Sequence, residues 1–412
     1  MTKRINIKKC PASWLTGLTL LLVFAGGPLY AQKISADVKP FRIHVTDAAI
    51  CDLKQRLAAT RWPDSVVGSG WNYGTNPAYL RVLTHYWKTS FNWRAQEVRL
   101  NRLHHYVIMI NGQRIHFVYE RGRGRQSTPL VLLHGWPSTF VQMQAIIPLL
   151  TQPDAEGRSF DVIVPSLIGY GFSPGATQPA MTVDRMAALF QKLMTEKLGY
   201  DRFIVRASDI GAGVAKEWAL AYPTHVLGLH LSGSNPYTFG VPSDLSETER
   251  AYLQKSGQFM QAEGAYAMEQ STKPQTLTYG LNDSPAGLAA WIIEKFRAWS
   301  DNGGQLERAF SRDELLTNIS LYWFTQTIGS SMRAYYESAH VPSPHTGQRV
   351  TVPTAFMMLQ HDIAVGPREW EARTYNIVRW HVHPAGGHFA EWEQPSLIAQ
   401  DLQAFRNELG KP

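Results

Sequence analysis

Short apolar runs spaced by helical stretches constrain this chain most. Residues 130–133, 160–165, 203–205 and 226–231 form such runs, and 181–198 and 211–222 are helical stretches among them. Short apolar strands alternating with helices need cover on both faces, which implies a parallel sheet between helical layers. The alternation stops near Pro236 and resumes at Pro353, where 354–359 and then 377–382 are the last candidate strands. The interval reads as helical, an insertion into the sheet domain. The expected organisation is therefore an N-terminal segment at 32–125, a sheet domain in two parts at 126–235 and 349–412, and a helical lid at 236–348.

The leading segment has its own signals. Thr46 can cap a helix whose residues Ile50, Leu53 and Leu57 share a face, and residues 77–87 form a second helical candidate. Asn111-Gly112 separates two strand-like runs, 106–110 and 115–119, and predicts a hairpin with a type I′ turn.

Four constellations carry chemistry. The turn Arg206-Ala207-Ser208-Asp209-Ile210-Gly211-Ala212 leaves an apolar strand and enters a helix. Small residues around the apex let strand and helix approach closely and lift Asp209 above the carboxyl edge of the sheet, where ligands bind in such folds. Taken alone, this stretch fits an ordinary helix N-cap as well as a nucleophile. Ser208 is set aside, because a serine elbow would put its small neighbours where Arg206 and Ile210 stand. The loop His134-Gly135-Trp136-Pro137 follows a strand and can aim the Trp136 N–H at an oxyanion, with the Ile210 N–H as second donor. Gly386-Gly387-His388 follows the last strand and can bring His388 over the sheet edge as a base. Asp362 ends the preceding strand and can accept from the His388 ring N–H. The chain order nucleophile, acid, histidine is that of the α/β-hydrolase fold.

With these residues in view, the sequence resembles the microsomal-type epoxide hydrolases over nearly all of its length beyond the leader. Trp62-Pro63 and Trp93-Arg94 look like that family's N-terminal domain. The run Pro165-Ser166-Leu167-Ile168-Gly169-Tyr170-Gly171-Phe172-Ser173, the lid stretch Asn282-Asp283-Ser284-Pro285 and Leu315-Leu316-Thr317-Asn318 follow its pattern. The resemblance implies an α/β-hydrolase core, a helical lid, no cofactor, and a small-molecule epoxide and water as the reacting partners. It also implies two lid tyrosines that hold the epoxide oxygen, which fall on Tyr266 and Tyr335; Tyr336 and Tyr279 are the neighbouring alternatives. Two departures stand out: Ala207-Ser208 where the family often has Gly-Gly, and Asp362 where microsomal-type members often have Glu. The competing readings are a haloalkane dehalogenase, against which the donorless side chain of Ile210 argues, and a non-catalytic binding protein on the same fold.

The first 31 residues read as a leader. Lys3, Arg4, Lys8 and Lys9 precede an apolar stretch at 14–25 and the exit Gly26-Gly27-Pro28-Leu29-Tyr30-Ala31. That is the pattern of a secretory signal peptide, and the apolar stretch is short for a membrane span, which needs about 20 residues. Cleavage after Ala31 and a periplasmic or secreted protein with no stable membrane insertion are expected; an uncleaved anchor is the alternative. The formal charge of +7 includes those four basic residues, and the rest of the chain has no Lys/Arg cluster of the kind that binds nucleic acid. Only Cys51 remains beyond the leader, so no internal disulfide is expected, and Cys51 reads as a small buried residue on a helix. No Cys/His spacing suggests a metal site.

Overall fold

The structure is a computed structural model that describes residues 34–233, 242–363 and 365–410. The expected leader and the first residues of the expected lid lie outside the described residues.

Nine strands form one sheet: β1 (Lys39–Phe41), β2 (His105–Ile110), β3 (Gln113–Glu120), β4 (Gln126–Leu133), β5 (Arg158–Pro165), β6 (Phe203–Ser208), β7 (Val226–Ser232), β8 (Val350–Leu359) and β9 (Tyr375–His383). Their order is β1-β2-β3-β5-β4-β6-β7-β8-β9. From β5 to β9 every pairing is parallel, while β1, β2 and β3 pair antiparallel, and β3 meets β5 antiparallel through Phe117↔Pro165 to Glu120↔Val162. The six apolar runs thus build the parallel part. Leu130, Val131, Leu132 and Leu133 are fully buried, each contributing about 1.5–3 kcal/mol of apolar transfer.

The antiparallel edge belongs to the leading segment. Asn111 and Gly112 both have positive φ, at 51° and 78°, as a type I′ turn demands, and Ile110 pairs with Gln113 across them. Thr46 caps the helix Asp47–Ala58 by accepting from the Ala49 N–H, and Leu53 and Leu57 face inward. Cys51 on this helix is exposed, contrary to its expected burial, because it lies on the face opposite those two leucines. The second helix runs Pro77–Thr89. A third, Trp93–Leu100, carries too weak an apolar period to be read beforehand.

Among the described residues, six α-helices occupy the insertion between β7 and β8: Glu247–Glu263, Ala265–Thr272, Pro274–Asp283, Pro285–Trp299, Arg312–Thr325 and Ile328–His340. The leading segment clasps them. Trp87 Nε1 donates to Ser320 Oγ at 3.0 Å, Tyr86 to Asp313 at 2.8 Å, and Arg56 pairs with Asp283 at 2.7 Å. These bonds tie the lid to the leading segment.

Candidate active site

The turn after β6 is tighter than the sequence suggested. The helix begins at Asp209 and runs to Ala221, two residues earlier than expected, and Ser208 occupies the N-cap position without a side-chain bond. Asp209 itself has φ 51°. A left-handed conformation in a residue with a Cβ costs about 1–3 kcal/mol and persists only where surrounding structure imposes it. Here the imposing contacts are visible. A Cβ on Gly211 would stand 2.7 Å from the carbonyl oxygens of Leu133 and His134, and one on Gly135 would stand 2.4 Å from Asp209 Cβ and Oδ1. The β4 loop therefore lies directly against the raised carboxylate.

That loop supplies a donor. The Trp136 N–H donates to Asp209 Oδ1 at 2.8 Å, and the Ile210 N–H also bonds the Asp209 carboxylate. The two backbone donors named from the sequence thus converge on one carboxylate. Its other oxygen, Oδ2, lies 3.5 Å from His388 Nε2, and the opposite ring nitrogen, Nδ1, is 2.8 Å from Asp362 Oδ1. Asp362 also accepts from the Ile363 N–H at 2.6 Å. The side chain of Asp209 keeps 15% of its surface, against 7% for His388 and 3% for Asp362, so the opening in this row is at the aspartate.

Electrostatics follow from the row. Burial acts to raise the Asp209 pKa, but His388 and the Ile210 and Trp136 N–H groups outweigh it and hold the carboxyl below its ordinary range. Burial acts to lower that of His388, yet the charges and hydrogen bonds of Asp362 and Asp209 push it up to about 10. The free site therefore holds an imidazolium between two carboxylates at neutral pH.

Two lid tyrosines face this row. Tyr266 stacks on Trp136 with ring centroids 5.4 Å apart and planes within 5°, and Tyr335 meets both rings edge-on at 6.0 Å. Burial, together with the charge of Asp209, raises both phenols well above 10, so both hydroxyls stay protonated. Tyr279 and Tyr336 are exposed, and Tyr336 stacks on His340, so neither alternative shares this surface. His381 and His383 stay on β9, with His381 bonded to Asp401 at 2.9 Å. Among the described residues no group of His, Cys, Asp and Glu could hold a metal ion.

Some neighbours were not legible. Trp299, at the end of a lid helix, lies edge-on to His388 at 5.2 Å and tilted to Tyr266 at 5.0 Å. Lys295, buried on the same helix, sets its ammonium 5.1 Å from the Tyr266 ring centre. A lysine next to the apolar residues Ile292, Ile293 and Phe296 was the available signal for the second; Trp299 had none, since its place depends on where the lid helix ends.

A mainly parallel sheet, a carboxylate raised on a strand-to-helix turn, and a histidine and acid from the last two strands define an α/β-hydrolase. The known proteins narrow this further. A family model described as the epoxide hydrolase N terminus matches residues 38–143, and one described as the alpha/beta hydrolase fold matches residues 128–395. Epoxide hydrolase 1 of Sus scrofa is 37% identical over 403 residues, covering 89% of this chain and 88% of that protein. The crystal structure of juvenile hormone epoxide hydrolase from Bombyx mori superposes with a TM-score of 0.80 at 31% identity, over 92% of this chain and 95% of that one. The Aspergillus niger epoxide hydrolase structure gives the same TM-score at 28% identity, over 92% and 99%. The chain belongs to the epoxide hydrolase family of α/β-hydrolases.

Proposed function

We propose that this enzyme converts an epoxide and water to a vicinal diol through an ester on Asp209. The observation that carries the reading is the placement of one carboxylate between two backbone N–H donors and a histidine that is itself held by a second carboxylate.

Asp209 Oδ1 is held by the Trp136 N–H and Oδ2 lies toward His388, so Oδ2 is the attacking atom. It bonds to an epoxide carbon as that carbon's bond to oxygen breaks, and the hydroxyls of Tyr266 and Tyr335 hydrogen-bond the oxygen as it gains charge. The alkoxide takes up a proton from solvent, which leaves a neutral hydroxy-ester. Asp209 has then lost its charge, and His388 has lost one of the two carboxylates that kept it protonated. Its proton affinity falls, and the ring releases a proton to solvent and becomes a base while Asp362 still orients it. Neutral His388 next removes a proton from water, and the resulting hydroxide attacks the ester carbonyl. The Trp136 and Ile210 N–H groups hold the tetrahedral oxyanion, the diol oxygen leaves with the proton from His388, and the carboxylic acid left on Asp209 passes its proton to His388, which restores the carboxylate and the imidazolium. A carboxylate suits this cycle because its ester can be hydrolysed at its own carbonyl.

A panel of simple aryl and alkyl epoxides and haloalkanes tests the reading. Diol from the epoxides without halide from the haloalkanes is the expected result. Halide release at comparable rates supports the dehalogenase alternative, and no turnover of either supports a binding protein.

We also propose that the protein is exported, on the strength of the basic start and short apolar stretch at 14–25. Among the described residues no helix is long and apolar enough to cross a membrane. N-terminal sequencing of protein from its native host should begin at or near Gln32; Met1 retained in a membrane fraction would count for the anchor instead.

A further inference from the structure

We infer that Glu393 is a positioning residue that ties the His388 loop to the end of the lid helix and so fixes the base for ester hydrolysis. The inference rests on the ester mechanism above. In the loop Gly386-Gly387-His388-Phe389 the two glycines have no side chain to hold them, while Phe389 stacks on Phe296 of the lid with ring centroids 4.1 Å apart. The backbone is held throughout: four consecutive N–H groups are all engaged. Gly386 N–H donates to Asp301 Oδ2 at 2.9 Å, Gly387 N–H to Glu393 Oε2 at 3.0 Å, His388 N–H to the Trp299 carbonyl at 2.8 Å, and Phe389 N–H to Glu393 Oε1 at 3.0 Å. Two acceptors belong to the lid end and two to Glu393.

Glu393 also joins the two sides. Its Oε2 accepts from the Asp301 N–H at 2.7 Å, so one carboxylate oxygen bridges the loop and the lid end. The contact is close, since a Cβ on Gly387 would stand 2.7 Å from the Trp299 carbonyl oxygen. Charge-assisted bonds of this kind are roughly twice as strong as neutral ones. The carboxyl is buried enough that its pKa is pushed up to about 7 in spite of its three N–H partners. Nothing in the chemistry of the Asp209, His388 and Asp362 row requires a carboxylate there. Its geometric effect does bear on that row, because the ring of His388 must reach water beside Asp209 while keeping its 2.8 Å bond to Asp362.

The two steps of the cycle separate this role from a merely structural one. Asp209 is held for attack by the Trp136 and Ile210 N–H groups and takes only a favourable charge from His388, so ester formation tolerates a small shift of that ring. Ester hydrolysis does. Single-turnover reactions with styrene oxide, quenched in acid and read by mass spectrometry of the Asp209 peptide, give both rates. For Glu393→Gln we expect ester formation within about twofold of wild type and hydrolysis slowed by about ten- to a hundredfold, the scale of a misplacement near 1 Å. Asp301→Ala, which removes the bond to Gly386, should show the same split and carries the test should Glu393→Gln not fold. Ester that forms in the variants and hydrolyses at the wild-type rate overturns the inference, as does equal slowing of both steps. Absence of ester in the wild-type enzyme overturns the ester mechanism itself, and the inference with it.

Discussion

Removing the lid hydroxyls one at a time should slow the first chemical step without disturbing the fold. The epoxide oxygen leaves as an alkoxide, a poor leaving group that needs a donor beside it. Tyr266 lies flat on Trp136, whose N–H is bonded to the nucleophile, and Tyr335 meets both rings edge-on. Both phenols are held protonated, first by burial. Loss of one oxyanion-type donor costs about 10²–10³ in rate, roughly 3–4 kcal/mol. Tyr266→Phe and Tyr335→Phe should each slow ester formation by about one to three powers of ten. The double variant should lose less than the product of the two, because both hydroxyls serve one oxygen, yet should be slower than either single variant. The rings and their stacking remain, so the melting temperature should change by no more than a few degrees, roughly one neutral hydrogen bond. The assay is the acid-quenched single-turnover rate of ester formation with a simple epoxide. A double variant that forms ester at the wild-type rate would show that these tyrosines are packing residues and refute the reasoning.

Three further outcomes are expected. Gly135→Ala places a Cβ 2.4 Å from Asp209 Oδ1 and must move the nucleophile, so kcat/KM should fall about a hundredfold; a value within twofold of wild type contradicts the close approach. Burial depresses the pKa of His134 and His230 to about 4 and of His105 and His116 below their usual 6.5, so the unfolded state takes up protons first. Their stabilisation is complete above about 6.5 and is lost as pH falls toward about 4, so Tm should drop steadily over that window, and a flat Tm would be inconsistent with neutral buried rings. Arg206 and Glu391 form a fully buried pair at 2.7 Å, so Glu391→Ala should cost about 3–5 kcal/mol in denaturant unfolding, whereas a loss below about 1 kcal/mol would mean that Arg206 finds another partner.

The parallel strands were legible because they are buried on both faces, which leaves short apolar runs in the sequence. The hairpin was legible because Asn111 and Gly112 take backbone angles that few residues accept. Asp209, His388 and Asp362 could be placed because each follows a strand at the same edge of the sheet, so chain order and topology together imply proximity. What stayed hidden depends on contacts made across long sequence separations. Cys51 was misplaced because its small apolar character was weighed above its position on the helix, off the face that Leu53 and Leu57 bury. Trp299 and Asp301 meet the His388 loop only through the docking of the lid, 85 and more residues away in sequence. Glu393 looked like an ordinary acidic residue of a short helix, since its partners are backbone N–H groups, which leave no trace in side-chain patterns.

The central claim is that Asp209 forms an ester that only His388 can clear. His388→Ala, incubated with excess styrene oxide and digested for mass spectrometry, tests it directly. The variant loses the lowering influence of His388 on the Asp209 carboxyl, but the Trp136 and Ile210 N–H groups still bond the carboxylate and favour its charged form. The variant should therefore accumulate protein carrying one epoxide mass, located on the peptide that contains Asp209, with little diol formed. An unmodified Asp209 in a variant shown to bind the epoxide, or diol production at the wild-type rate, would contradict the account.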